Sequence, residues 1–480
     1  MGNVWVREFT GGLDARRLPE TSPGGTLMRL RDAHINRGGE IEQRAIFEKV
    51  YDLPEGETHG LAATKDGLVV FGHQGVTSTP VPAGVAYQAL AHPNGEAMRD
   101  VQFTELFRGK LQVIAEYEDD KFFMFFDGAR VTDTDAPPNK ADSGEPKSLL
   151  TTASKMFVAS GPNMFFSAVG DSTDFGEGAG AGSGFIVMST HAQGADELTG
   201  LGLYNDYVAV FARRVILVWY VDPDPALSRK AQVLNNTGAI ASRSITQFGD
   251  GDVFYLDRSG IRSLRARDSS NSAATTDIGS PVDPLVTEKI VEIGDAGAAK
   301  AIGLIEPRDG RFWQIVGDRI YVFSYFSSSK VSAWSEYLPG FTIDAAVVWD
   351  SKVWVRSGDE IWVYGGVGDK YRYSEDVPAE VWLPYLDADE PFRAKNIEGV
   401  DAAVRGTWEF RLAMDLSNHD ASDLVARIDH TTFSDLGINT VGETTHFSPR
   451  LRATAPESEF KPAILSSVVV HFDRDKEEDN

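Results

Sequence analysis

The feature that most constrains the fold of this chain is a pair of short strands that recurs seven times. Each copy opens with a Gly, Asp, Asn or Ser turn, runs through an alternating β-branched or aromatic strand, turns again and returns through a second strand. The copies recur at steps of about 41 to 59 residues and occupy about residues 55–375, which is typical of propeller blades. Their first strands are marked by Leu68, Leu111, Met156, Tyr207, Val253, Phe312 and Val353.

This repeat predicts a mainly β chain with a β-propeller of about six or seven blades. In the last copy, VWVRSGDEIWVYG, both faces of the strands are apolar. A strand that is covered on both sides is expected between neighbouring blades. The alternative is a large β-sandwich with similar hairpins, but sandwich hairpins recur at shorter intervals.

One helix is predicted inside the repeated region. Asp283 is expected to cap it and Pro284 to take its first position, before a stripe formed by Leu285, Val286, Ile290 and Ile293. Such a stripe can bind a partner helix, but an amphipathic helix that covers a blade edge is the favoured interpretation.

Two segments flank the propeller and lack the repeat. Residues 1–54 contain one short strand-like run, Thr26 to Leu30, and residues 376–480 contain several. We predict that the two segments together form an additional β-rich platform domain. The charged end of the chain, RDKEEDN, is expected to be disordered.

Charge and composition exclude several classes of function. The net charge is -25, from 71 acidic and 46 basic residues, which is the wrong sign for a protein that grips phosphates. The absence of Cys excludes disulfides, thiolate metal sites and cysteine nucleophiles. No run approaches the roughly 20 apolar residues of a membrane span, and no leader sequence stands out, so we expect a soluble protein made in the cytoplasm.

Candidate ligand sites are weak. The glycine-rich stretch 176–184 has no Lys-Ser/Thr after it and no βαβ unit around it, which favours an inter-strand loop over a phosphate cradle. The nine His residues are scattered, without a metal-binding motif. Carboxylates that could bind a hard cation are better explained as turn residues; they are Asp250, Asp252, Asp387, Asp389 and Glu390.

Signatures of hydrolysis are also missing. Propellers host glycosidases and sialidases, so the carboxylates alone do not dismiss hydrolysis. The sialidase turn Ser-x-Asp-x-Gly-x-x-Trp does not occur; the nearest segment, SGDEIW at Ser357, lacks the Gly, and GxSxG is absent. We therefore predict a chain that is not an enzyme, with no catalytic, cofactor-binding or metal-binding residues.

Several segments resemble a known family, the tail nozzle or head–tail stabilisation proteins of short-tailed bacteriophages, also called tail tubular protein B. Together they cover about a fifth of the chain. The segments are GGLDARRLPETSPGG, HINRGGEIEQRAIF, LTGLGLYNDYVAVFARRVILVWYVDPDP, LNNTGAIASRSITQFGDGDVFYLDRSGIRSLRARDSSN and DIGSPVDPL.

The resemblance implies a structural protein of the virion tail that contains a propeller and forms a homo-oligomeric ring of six. The ring would lie below the portal and head-to-tail adaptor, next to tail fibre or spike proteins. It would close the DNA channel and conduct DNA at ejection without binding it specifically. No catalytic residue belongs to this implied role. We also expect an acidic lumen, because like charge prevents DNA from sticking. The alternatives are a propeller glycosidase that acts on host surface polysaccharide and a monomeric interaction scaffold.

Within the matched segments, most residues have folding roles. Pro223 and Pro225 are expected to end a blade sheet, because proline cannot extend a ladder. The turns of the next hairpin are assigned to Gly249, Gly251, Asp257, Ser259 and Gly260.

Two arginine groups in these segments leave an alternative open. They can pair with acidic residues across a subunit ring, but solvated surface charge is the favoured interpretation. The groups are Arg213 with Arg214, and Arg262 with Arg265 and Arg267.

Overall fold

The chain forms a seven-bladed β-propeller with a second β unit beside it. The computed structural model describes residues 2–132, 144–176, 182–191, 197–249, 251–266, 277–434 and 438–474. Seven blades follow one another in the described part of the chain; six are sheets of three or four strands, and blade 6 is part of an 11-stranded sheet. Their innermost strands contact one another in order, and that of blade 7 contacts that of blade 1, which closes the ring. The predicted β-propeller is thus confirmed.

The blades have three or four strands each. Blade 1 consists of His59–Thr64, Gly67–Gly72 and Val85–Ala89. Blade 2 consists of Met98–Phe107, Lys110–Tyr117, Phe122–Phe126 and Ala129–Arg130. Blade 3 consists of Pro146–Thr152, Lys155–Ser160, Asn163–Phe166 and Gly184–Val187. Blades 4 and 5 consist of Leu198–Tyr204, Tyr207–Ala212, Val215–Tyr220 and Arg229–Asn235; and Thr246–Phe248, Asp252–Asp257 and Gly260–Ser263. Blades 6 and 7 consist of Ile302–Glu306, Arg311–Val316, Arg319–Phe326 and Val331–Tyr337; and Ala345–Trp349, Lys352–Ser357, Glu360–Tyr364 and Phe47–Asp52.

The last blade is completed by the N-terminal part of the chain. Phe47–Asp52 pairs antiparallel with Glu360–Tyr364 and forms the outer strand of blade 7. A blade built from both ends of the propeller sequence holds the ring closed, because opening it would break this ladder of backbone hydrogen bonds.

The seven residues that mark the predicted repeat all lie on the second strand of a blade. Blade 1 departs from the predicted hairpin, since its third strand, Val85–Ala89, runs parallel to Gly67–Gly72. Pro80 and Pro82 lie between these strands and lack the N–H that an immediate antiparallel return strand would need.

The predicted helix is present as Asp283–Ala298, with Pro284 in its first turn. It packs against the outer strand of blade 5 and against blade 6, so it covers a blade edge as expected. The prediction that Asp283 caps it is wrong: Val282 occupies the N-cap position, and the Asp283 carboxylate accepts a hydrogen bond from Arg262 instead, at 2.8 Å.

The second unit, here called the platform, is built from both flanking segments. A six-stranded sheet contains Ile438–Thr444, Lys395–Arg405, Ile464–Arg474, Ile41–Gln43, Ala33–Ile35 and Gly2–Val6. A further set of strands extends the sheet of blade 6, in the order Arg29–Arg31, Glu380–Trp382, Ser448–Ala455, Thr407–Ala413 and Asp423–Ile428, with the two-residue strands Gly12–Leu13 and Thr26–Leu27 beside it.

The platform shares one hydrophobic cluster with blades 5 and 6 of the propeller. Leu30, Val381 and Leu451 of the platform belong to the same buried cluster as Phe312 and Trp334 of blade 6. No α-helix among the described residues is long and apolar enough to cross a membrane. The predicted disorder of the charged end concerns residues that, beyond Arg474, lie outside the described ranges.

Candidate functional site

Side chains cross the central channel of the propeller at the end where the innermost strands begin. Lys300, just before blade 6, forms an ion pair of 3.3 Å with Asp100 of blade 2, on the other side of the ring. Arg243, before blade 5, donates hydrogen bonds to the carbonyl oxygens of Asp344 (3.1 Å) and Lys300 (3.3 Å). A nucleic-acid duplex cannot pass an opening that these side chains span.

A cleft of about 360 Å³ lies at this channel mouth. Its lining includes Gln102, Lys147, Glu197, Thr199 and Arg213, of which Lys147 and Glu197 form an ion pair of 3.0 Å. Glycoside hydrolysis needs two carboxyl groups that flank the scissile bond. The described lining of this cleft supplies one carboxyl group, that of Glu197, which is already paired with Lys147.

Of the candidate cation ligands that the structure describes, Asp252 begins a strand of blade 5, and Asp387, Asp389 and Glu390 belong to one turn. Asp252 accepts hydrogen bonds from the hydroxyl of Ser263 (2.7 Å) and the backbone N–H of Arg265 (3.0 Å). Asp387 accepts the backbone N–H of Asp389 at 3.0 Å. Across the described ranges, no group of three His, Asp or Glu side chains could hold a metal ion. Asp250 and residues 177–181 of the glycine-rich stretch lie outside those ranges.

Arg262 is neither a solvated residue nor a free partner for another subunit. It is buried, donates to Asp283 at 2.8 Å and lies 3.5 Å from Asp277, so its charge is compensated within the chain. This corrects both interpretations offered for it from the sequence. Arg213, Arg214 and Arg265 are exposed, and Arg267 is outside the described residues.

Segments that carry the family resemblance form the joint between propeller and platform. Arg44 is 5% exposed in its side chain and pairs with Asp32 at 2.5 Å. It also donates to the carbonyl oxygens of Ala45 (2.9 Å) and Leu338 (3.0 Å), and Asp32 accepts the N–H of Leu338 at 2.9 Å. The N-terminal segment is therefore locked to the connection that follows blade 6.

A second contact in this joint is made by Gln43, which is fully buried. Its Nε2 donates to the carbonyl oxygens of Ser374 (3.0 Å) and Val377 (2.6 Å), and its Oε1 accepts the N–H of Ala463 at 3.2 Å. One side chain thus joins the segment after blade 7 to the C-terminal strands of the platform.

The platform sheet that extends blade 6 has one apolar face and one charged face. Leu30, Val381, Phe410 and Leu451 point into the core. The alternate residues on the same strands form what we call the arginine face, which consists of Arg29, Arg31, Glu380, Trp382, Glu409, Arg411, Arg427, Arg450 and Arg452. This face is rich in arginine although the whole chain carries a charge of -25.

Strand register arranges the arginine face in two rows that cross the sheet. The first row alternates in sign, in the order Glu336, Arg31, Glu380, Arg452, Glu409 and Arg427. Within it Arg31 pairs with Glu336 at 2.9 Å, and Arg427 with Glu409 at 3.0 Å. Opposite charges on neighbouring strands stabilise a sheet, so this row largely compensates itself.

The second row contains no acid. It runs Arg29, Trp382, Arg450 and Arg411 on four adjacent strands. The guanidinium groups of Arg29 and Arg450 lie 3.4 Å and 4.0 Å from the centre of the Trp382 ring, a cation–π arrangement. Arg450 and Arg411 are directly opposite each other, and like charges in such cross-strand pairs are destabilising.

Arg450 is the least compensated charge of this row. The residue is 3% exposed, and its Nε and Nη1 have no hydrogen-bond acceptor among the residues that the structure describes. Burial lowers the pKa of Arg450, because the charged form loses its hydration. Arg450 lines a cleft of about 290 Å³ together with Trp382, Arg411, Asp420 and Arg452, among others.

Sequence reasoning missed the arginine face. A signal was present in the tripeptide Arg-Leu-Arg, which occurs at 29–31 and again at 450–452. Alternation of arginine with leucine indicates a strand with one charged and one buried face. It does not indicate which other strands lie beside it.

Comparisons with known proteins found similar solved structures but no sequence family. No family model and no curated protein matches the sequence. Matching solved structures include the WD40 domain of Neurospora crassa Pan2, at 10% identity over 65% of this chain and 91% of that chain, with a TM-score of 0.37. BamB from Moraxella catarrhalis matches at 10% identity over 68% and 100% of the two chains, with a TM-score of 0.39. The exo-beta-1,3-galactanase of Phanerochaete chrysosporium matches at 10% identity over 86% and 100%, with a TM-score of 0.27.

Proposed function

We propose that this chain is a structural ring subunit of a short-tailed bacteriophage tail, which assembles below the portal and adaptor and conducts DNA at ejection. The observation that carries the proposal is the position of the segments that resemble tail nozzle proteins. Gly12, Asp32, Gln43 and Arg44 lie in or between the N-terminal matched segments, and all four make contacts at the joint between propeller and platform. The resemblance therefore concerns residues that fix the platform against the propeller.

The side chains that cross the propeller channel support a DNA path outside it in such an assembly. Because the ion pair of Lys300 and Asp100 spans the propeller channel, the DNA path would lie between subunits of the ring. A surface of net charge -25 repels DNA and would let it slide. A lumen wall with a net positive charge would contradict this part of the proposal.

The test is assembly with the neighbouring tail proteins. The purified chain, mixed with the portal and adaptor of the same phage, is expected to form a closed ring on that complex, visible by negative-stain electron microscopy and native mass spectrometry. The variant Arg44→Met, which loosens the joint, should reduce ring formation, whereas Arg229→Met on the rim of blade 4 should not. A chain that stays monomeric and never joins the complex would refute the proposal.

The second candidate is a propeller glycosidase, for which Glu105 is one partly buried carboxyl group outside the described cleft and not the flanking pair that hydrolysis needs. Burial raises the pKa of Glu105, on the innermost strand of blade 2, to about 7, and a general acid works best with a pKa near the operating pH. Incubation with capsule or lipopolysaccharide should then release oligosaccharide, and Glu105→Gln should abolish the release. Intact polysaccharide after incubation with the wild-type chain argues against this candidate.

A further inference from the structure

We infer that the cleft over Arg411 and Arg450 is a docking site for a carboxylate, supplied by an acidic segment of a partner protein. The inference concerns the outer face of the platform and does not rest on the proposed role in a tail. It is carried by three features of the arginine face: a buried guanidinium without an ion pair among the described residues, a like-charge cross-strand pair, and the pattern of acids beside them.

The charges around the cleft leave a positive excess. Its lining contains three arginines and three acids: Arg411, Arg450 and Arg452, with Glu380, Glu409 and Asp420. Glu380 and Glu409 are paired with arginines outside this lining, Arg29 at 3.5 Å and Arg427 at 3.0 Å. Arg452 lies between these two glutamates in the first row, so Asp420 is the acid of the lining that remains for Arg411 and Arg450, and room is left for one further negative charge.

The hydrogen-bonding capacity of the arginines points to an oxyanion. Arg411 donates to the hydroxyl and carbonyl oxygens of Ser422, at 3.2 Å and 3.0 Å, which fixes its guanidinium without neutralising it. Arg450 is held in place by Trp382, and its Nε and Nη1 are buried without acceptors in the described part of the chain, so a carboxylate would balance its charge from the cleft that Arg450 lines and would not bond these two atoms. A planar guanidinium matches the two oxygens of a carboxylate, and charge-assisted bonds of this kind are strong.

The neighbouring acids favour a protein carboxylate over nucleic acid. Glu380 and Glu409 line the same cleft and lie one row away from Arg450. A nucleic-acid backbone carries closely spaced negative charges and would bring some of them against these glutamates. A single Asp or Glu side chain can enter the cleft, whose volume of about 290 Å³ suits a side chain, and avoid both.

The experiment is isothermal titration of the full chain with four probes at moderate salt. The probes are an acetylated tetra-glutamate peptide, the matching tetra-glutamine peptide, inorganic phosphate and a single-stranded DNA 20-mer. Tetra-glutamate should bind, and tetra-glutamine should not. Arg450→Met, which removes the charge but keeps the stem on Trp382, should weaken tetra-glutamate binding at least tenfold, and Arg229→Met should leave it within twofold of wild type.

Two further measurements keep the inference testable whatever Arg450→Met does to folding. Because removal of an uncompensated buried charge is not expected to cost stability, Arg450→Met should melt no lower than wild type in the absence of peptide. Arg411→Gln, which retains a donor to Ser422, should weaken peptide binding about fivefold. No binding of tetra-glutamate, or tighter binding of DNA or phosphate than of the peptide, would overturn the inference.

Discussion

Replacement of Arg44 tests whether the joint between propeller and platform depends on a buried ion pair. Arg44→Met would leave Asp32 without its cation, and the carbonyl oxygens of Ala45 and Leu338 without their donor. Removal of one partner from a buried pair typically costs about 3 to 5 kcal/mol. Because the Asp32 side chain is 13% exposed and keeps the N–H of Leu338, we expect a loss near the lower end, about 3 kcal/mol.

The pair can be isolated with a double-mutant cycle. Asp32→Asn should cost about 1 to 3 kcal/mol, since Asn still accepts the N–H of Leu338 and tolerates the positive φ of 50° at this position. The double variant should lose less than the sum of the single losses, by about 1 to 3 kcal/mol. Arg37→Met is the matched control: Arg37 also pairs with a propeller carboxylate, Asp309 at 3.3 Å, but is 67% exposed, so its loss should stay within about 1 kcal/mol.

The assay is urea unfolding followed by tryptophan fluorescence, with the slope against urea compared between variants to verify that the same surface unfolds. Far-UV circular dichroism before unfolding checks that each variant retains its β structure. If Arg44→Met proved no more destabilising than Arg37→Met, the ion pair would not hold the joint, and the reasoning from burial would be wrong.

Two more predictions concern single positions. Gly12 has a φ of 58°, and a Cβ there would lie 2.7 Å from the Cβ of Ala333, so Gly12→Ala should lower the free energy of unfolding by about 3 kcal/mol. The control is Gly95→Ala, where φ is 77° and the space around the Cβ is open. It should lower the free energy of unfolding by about 1 kcal/mol in the same urea assay. Burial raises the pKa of Glu105 from 4.5 to about 7, so the native state holds this proton more tightly than the unfolded state does. The stability that results is fully present below pH 4.5 and is lost as the pH rises through 7. The change in the free energy of unfolding caused by Glu105→Gln should therefore be more favourable at pH 8 than at pH 4, by about 1 to 3 kcal/mol. The control Glu55→Gln, at an exposed position, should change the free energy of unfolding equally at both pH values. Equal effects of Glu105→Gln at both pH values would contradict the assignment.

The second strands of the blades were the part of the fold most open to sequence analysis. They are buried on both faces and rich in β-branched and aromatic residues, so their pattern stands out at every repeat. The innermost strands are harder to recognise. Met98–Phe107 is interrupted by polar residues and by two register shifts, which blurs the alternation that marks a strand.

The helix shows how tertiary contacts override a local rule. Its position and apolar stripe followed from the sequence, because helical periodicity is a property of neighbouring residues. The role of Asp283 did not, since Arg262, which competes for its carboxylate, comes from a strand of blade 5 and meets it through the fold. A cap predicted from composition is lost when a buried cation offers the stronger bond.

The repeated strand pair was enough to determine a propeller, because blade length and strand alternation are encoded locally in each copy. Tertiary structure alone decided three features. They are the closing strand Phe47–Asp52, the hydrophobic cluster shared by the platform and blades 5 and 6, and the row of Arg29, Trp382, Arg450 and Arg411. These depend on which strands become neighbours and in which register, and a shift of one residue would turn every arginine of that row into the core. No stretch of sequence carries that information by itself, since the four residues of the row come from four separate strands.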